Sequence, residues 1–200
     1  MNRWFLDPAA GRGYPADMIE LLGDKAPDVW AGDLDAIAAP TDFLGINYYM
    51  PAYVKNDPDD AFLGTAEADP TEAVHTATGW VVEPEGLRDL LIRVHRDYSF
   101  GTLYIAENGA AFDDPLPVNG RIFDTSRTDY IESHIDAVAQ AIAAGAPVGG
   151  YFVWSLLDNF EWSAGYGKRF GIVHVDFKTQ ERTVKESGNR YAEIIADNRD

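Results

Sequence analysis

The chain has 200 residues, a formal net charge of -17 at pH 7, a pI near 4.4 and no cysteine. So acidic a surface repels nucleic acid and anionic lipid, and neither is expected as a partner. Without cysteine there are no disulfides and no thiolate metal sites, and four scattered histidines make a poor zinc set.

No apolar run has the length of a signal-peptide core or a membrane span, and a cytoplasmic protein is expected. Residues 1–39 read as helical in pieces. Pro15 to Leu22 gives a short helix closed by Gly23, and Asp33 caps another that ends before Pro40. Phe43 to Tyr49 is the first convincing strand. Residues 51–79 read as loop, with turn signals at Asp57-Pro58-Asp59-Asp60 and Asp69-Pro70. Pro84 opens a helix whose Leu87, Leu90, Leu91 and Val94 share one face, and the strand Leu103 to Ala106 follows.

A second amphipathic helix is marked by Ile131, Ile135, Val138 and Ile142. Gly145 ends it and Pro147 blocks its continuation. Then come a strand from Tyr151 to Trp154, another over Phe170 to Val175, and a closing helix over Val184 to Ala196. Strands alternating with helices point to parallel βαβ units. No repeat or linker divides the chain, so residues 1–200 are expected to form one unit.

The stretch Leu103-Tyr104-Ile105-Ala106-Glu107-Asn108-Gly109 is the informative one. Four apolar residues form a short buried strand that stops at a carboxylate, and Asn-Gly turns the chain away. A Glu at the C-terminal end of a barrel strand sits where such barrels keep their chemistry, although a solvated loop Glu reads the same way in isolation.

The flanks decide. Upstream lies Asp42-Phe43-Leu44-Gly45-Ile46-Asn47-Tyr48-Tyr49. Downstream lies Val148-Gly149-Gly150-Tyr151-Phe152-Val153-Trp154, continuing through Ser155-Leu156-Leu157-Asp158-Asn159-Phe160-Glu161-Trp162. With Asn2 to Pro8 at the start and Lys168 to Ile172 near the end, these resemble, in order and spacing, the second half of glycoside hydrolase family 1. That family comprises β-glucosidases and β-galactosidases of the (β/α)8 barrel type. The resemblance implies an α/β fold that is a partial (β/α)8 TIM barrel, roughly its last three to four βα units. A complete barrel of this kind typically takes about 250 residues or more.

The resemblance also implies roles. Retaining glycoside hydrolysis uses two carboxyl groups about 5–5.5 Å apart, one attacking the anomeric carbon and one handling the leaving-group proton. Glu107 matches the family's nucleophile, with Ala106 where a Thr is usual. Strand alternation would turn Ala106 away from Glu107. Tyr49 matches the tyrosine that donates to the nucleophile, and Asn47, on the same strand face, is a polar contact near the sugar. Trp154 and Trp162 would offer ring and indole N–H, Glu161 would accept from the outer hydroxyls, Phe170 would close the pocket, and Trp80 would line the entrance. The plain alternatives are core packing for the aromatics and a surface charge for Glu161. An acidic group between two large aromatics suits neither.

No Asn-Glu-Pro occurs in the sequence, and in the family that motif carries the acid/base Glu. The His-Trp element and the early Gln that hold the sugar from the first strands are missing too. The resemblance therefore implies half a glycone site, a β-glucoside or short oligosaccharide as substrate, and no metal or organic cofactor. It further implies inactivity of the chain alone. A non-catalytic carbohydrate-binding remnant and a half-barrel awaiting a partner chain with the first strands are the competing readings.

Overall fold

The computed structural model describes residues 3–60 and 62–198. Asn2, which begins the Asn2 to Pro8 motif, and Ala61, within the long loop, lie outside them. Three parallel strands form the central sheet: β1 (Phe43–Asn47), β4 (Thr102–Asn108) and β5 (Val148–Val153), in the order β1-β4-β5. Helix α4 (Pro84–Asp97) connects the first pair and α5 (Thr125–Ala143) the second. Both helices pack on one face of the sheet, where Leu87, Leu91 and Val94 of α4 meet Leu103 and Ile105 of β4 and Val138 and Ala141 of α5. Burying these side chains contributes about 1.5–3 kcal/mol for each Leu, Ile or Val, the main reason the βαβ units hold.

The other face is left uncovered by the described residues. Phe43 and Phe152 are each 56% exposed. Their rings flank Tyr104 at centroid distances of 5.2 and 6.3 Å, making an aromatic row across all three strands. Parallel sheets are normally covered on both faces, because their crossover helices lie on each side or the sheet closes on itself. Here it is an open sheet, not a closed barrel.

Several boundaries differ from the sequence reading. β1 ends at Asn47 rather than Tyr49, although Tyr48 N–H still donates to the Glu107 carbonyl at 2.9 Å. β4 runs on past Ala106 to Asn108, and β5 begins at Val148. Before them lie α1 (Arg3–Ala9), α2 (Ala16–Leu22) and α3 (Asp33–Ile37). Gly32, not Asp33, occupies the N-cap of α3; the Asp33 carboxylate instead accepts from Trp30 N–H at 2.8 Å. Within residues 51–79 lies a hairpin, β2 (Val54–Asn56) against β3 (Thr65–Glu67). Its strands are three residues long and lack apolar alternation, so no periodic signal betrays them.

On α5, Ile131 and Val138 are buried but Ile142 is 49% exposed, the helix having reached its solvent end. The strand expected over Phe170 to Val175 shortens to β6 (Val173–Val175), paired with β7 (Arg182–Val184). Val184 thus belongs to a strand, and the closing helix α6 spans Glu186–Asp197.

Candidate active site

The strand ends β1, β4 and β5 open on one cleft of about 900 Å³. Asn47, Tyr49, Trp80, Glu107, Trp154, Glu161 and Trp162 all line it. The eighth expected residue, Phe170, does not. It is only 2% exposed and lies behind the wall, its ring 6.3 Å from Tyr49 and 5.8 Å from Trp80. Its flat apolar side chain serves the cleft by fixing those two rings, which themselves stand 5.4 Å apart. Thr78, Asn159 and Phe160 also line the cleft; Asn159 and Phe160 lie within the downstream motif, which by itself assigns them no role, and Thr78 lies in the loop, outside any motif.

Glu107 is placed by a register shift. Ile46 pairs with Ile105, but the next residue, Asn47, pairs with Glu107, so Ala106 is the extra residue of a bulge. Ile105 and Asn108 are both buried, with exposed Ala106 and half-buried Glu107 between them. Simple alternation fails here, and Ala106 and Glu107 share the accessible side. Bulges of this kind re-aim a side chain at a functional position.

The Glu107 carboxylate accepts a hydrogen bond from the Tyr49 hydroxyl at 2.5 Å. Burial, then the bond to Glu107, together with the charges of Glu107 and Glu161, push the Tyr49 phenol well above its usual range. It therefore stays a donor at any working pH.

Asn108 locks this pair from below, which the sequence reading missed. Fully buried, its amide donates to the Tyr48 carbonyl at 2.7 Å and to the Tyr130 hydroxyl at 3.0 Å. Its oxygen accepts from the Tyr151 hydroxyl at 2.6 Å. One side chain thus joins the end of β1, helix α5 and strand β5. Asn-Gly is thus more than a turn signal. The Gly is required for another reason: a Cβ on Gly109 would stand 1.8 Å from the Trp154 carbonyl oxygen.

Glu161 and Trp162 ride on a tight loop beyond β5. Glu161 N–H donates to the Gly165 carbonyl at 2.7 Å, and Trp162 has φ of +40°, in the left-handed region that costs non-glycine residues energy. Trp162 is 82% exposed, so core packing does not explain it. Glu107 and Glu161 are the carboxylates that line the cleft. Among the described residues, no group of three or more His, Cys, Asp or Glu side chains is arranged to hold a metal ion.

Carboxylates facing aromatic rings across an open cleft suit a sugar, whose hydroxyls and apolar faces need both. The family model described as glycosyl hydrolase family 1 matches residues 1–200. The chain belongs to glycosyl hydrolase family 1. It is 45% identical over 195 residues to beta-glucosidase A of Thermotoga maritima, covering 97% of this chain and 43% of that protein. It is 39% identical over 215 residues to a bifunctional beta-D-glucosidase/beta-D-fucosidase of Bifidobacterium breve, covering 98% and 46% respectively. The structure of the family 1 β-glucosidase from T. maritima superposes with a TM-score of 0.91 at 43% identity, over 98% of this chain and 44% of that one. The chain therefore spans less than half the length of these relatives.

Proposed function

We propose that residues 1–200 are one C-terminal fragment of a retaining β-glucosidase, roughly the last three to four βα units of a (β/α)8 barrel. The observation that carries this reading is the Tyr49–Glu107 hydrogen bond of 2.5 Å at the floor of a cleft walled by tryptophans. Glu107 attacks the anomeric carbon of a β-linked glucoside, forming the glycosyl-enzyme that water later hydrolyses. The Tyr49 hydroxyl holds the carboxylate in aim. Asn47, Glu161 and Trp162 take the sugar hydroxyls, Trp154 faces its ring, and Trp80 walls the side on which the leaving group departs. Galactosides and fucosides are tolerated because a carboxylate at Glu161 accepts from more than one epimer.

The leaving oxygen needs a proton, and no matching acid is present in the sequence. General acid help is typically worth about 10²–10⁴-fold, and the contacts that distort the sugar from the first strands are also missing. The chain alone is therefore proposed to be inactive on unactivated glycosides. The bare aromatic face of Phe43, Tyr104 and Phe152 supports a half-barrel that functions only when a second chain supplies the first strands. A non-catalytic carbohydrate-binding remnant would use the same cleft without that need. The test is cellobiose hydrolysis by purified residues 1–200, alone and with a polypeptide carrying the first half of a family 1 barrel. Hydrolysis is expected only in the mixture. Turnover by the chain alone, abolished in Glu107→Gln, would mean the half-barrel is a complete enzyme.

A further inference from the structure

Behind the cleft runs a buried network of charged groups that the mechanism does not use. Lys185, between β7 and α6, is fully buried, and its ammonium donates to Asp114 at 2.6 Å and to Asp158 at 2.9 Å. Asp114 lies in the loop that follows Glu107, and Asp158 lies three residues before Glu161. Asp158 is closed in further by Arg169 at 2.5 Å and by the Gly171 and Val175 amides at 3.0 and 3.3 Å. Asp114 also accepts from Arg127 at 2.6 Å, and Arg127 donates onward to Asp124 and to the Ala110 and Arg169 carbonyls. Three cations, Arg127, Arg169 and Lys185, face three carboxylates, Asp114, Asp124 and Asp158, so the set is balanced. Breaking such a pair strands a charge in a dry site, whereas a complete set fixes geometry.

We propose that Lys185 is a positioning residue whose ammonium ties the loop behind Glu107 to the loop carrying Glu161, and so sets the placement of Glu161 relative to Glu107. The inference rests on the reading of those two carboxylates as nucleophile and sugar-binding group. Lys185 touches neither of them and acts only through Asp114 and Asp158. Burial alone would raise the Asp158 carboxyl, but Lys185 and Arg169 hold it below its ordinary value, so it is charged at neutral pH and keeps its four partners. Lys185 is moreover anchored through its own backbone, since its N–H donates to the Ile172 carbonyl at 2.9 Å.

The test compares wild type, Lys185→Arg, and a Lys185→Met/Asp114→Asn double variant that removes one cation and one anion together. Amide hydrogen exchange is read first, on the purified chain. The double variant is expected to speed exchange across residues 156–170 by about tenfold while residues 103–105 stay protected, and Lys185→Arg, which keeps the cation, to retain wild-type protection. Equal acceleration in both regions, or none in the loop, would overturn the proposal. In the mixture with the first-half polypeptide, the double variant is expected to lower kcat/KM about tenfold, and to add nothing in a Glu161→Ala background. An undiminished loss in that background would also overturn it. A wild-type mixture without turnover would count against the proposed function, and hydrogen exchange would then decide the role of Lys185 alone.

Discussion

Tyr49 and Glu107, 58 residues apart in the chain, meet through a 2.5 Å hydrogen bond between the ends of adjacent strands. The contact exists because β1 and β4 pair in parallel and the Ala106 bulge re-aims the residue after it. Hydrogen bonds to charged groups are worth about 1.5–3 kcal/mol, or about 10–150-fold in rate. Tyr49→Phe in the reconstituted protein should lower kcat/KM for an aryl β-glucoside by that factor, at neutral and mildly alkaline pH alike. An unchanged rate would remove Tyr49 from the mechanism.

Glu161 lines the cleft, whereas neighbouring-motif Tyr48 does not. Tyr48 is buried, and its hydroxyl donates to the Glu83 carbonyl at 2.7 Å. Glu161→Ala is expected to weaken glucoside turnover far more than Tyr48→Phe, which should instead cost about 1 kcal/mol of stability. Equal kinetic effects of the two changes would count against the pocket assignment.

Asn108→Asp keeps the shape of the amide but loses both donations and buries a charge. The Tyr48 carbonyl then has no donor from this side chain, and the Tyr130 hydroxyl, which donates to the Tyr49 carbonyl at 3.4 Å, must turn away from it to meet the new carboxylate. Destabilisation of about 3 kcal/mol or more at pH 7 is expected in urea unfolding, shrinking as the introduced carboxyl is protonated in acid. A variant as stable as wild type at neutral pH would show that the three-way junction is dispensable.

His134 gives a pH signature. Its ring is fully buried and stacks on Tyr130 at 3.9 Å, with Nδ1 2.7 Å from the Tyr130 carbonyl and no partner for Nε2 among the described residues. Burial outweighs the Tyr130 carbonyl and Glu85, and pushes the imidazole down to about 4. The unfolded chain therefore binds the proton first, so this contribution is complete above the ordinary value of 6.5 and is lost as pH falls toward about 4. Between those values wild type should lose about 3 kcal/mol more stability than His134→Phe. Parallel pH profiles for the two proteins would contradict a buried neutral imidazole.

Parts of the architecture were legible because they rest on strong local patterns. Leu87, Leu91 and Val94 recur at helical spacing, and Leu103 to Ala106 is an apolar run of strand length. Residues at strand ends were legible through motif resemblance, and Tyr49, Glu107, Trp154 and Glu161 do converge. What stayed hidden depends on contacts far apart in sequence. The β2–β3 hairpin is the exception, a local element hidden because its short strands are polar and lack alternation, with the Asp60 carboxylate accepting from the Leu63 and Thr65 amides inside its turn. The Ala106 bulge is set by pairing with β1, not by its own residues. Phe170 carries the same motif signal whether it lines a cleft or backs one. Lys185 and Asp158, 27 residues apart, carry no local pattern that shows the fold will bury them together.

The reading of Glu107 is tested most directly by trapping. A 2-deoxy-2-fluoro-β-glucoside with a dinitrophenolate leaving group needs no acid for its first step and lets the glycosyl-enzyme accumulate. The chain, mixed with a first-half polypeptide, would be incubated with it, digested and mapped by mass spectrometry. The expected result is a single fluoroglucosyl adduct on Glu107, absent in Glu107→Gln. An adduct on Glu161, or turnover that continues undiminished in Glu107→Gln, would contradict it.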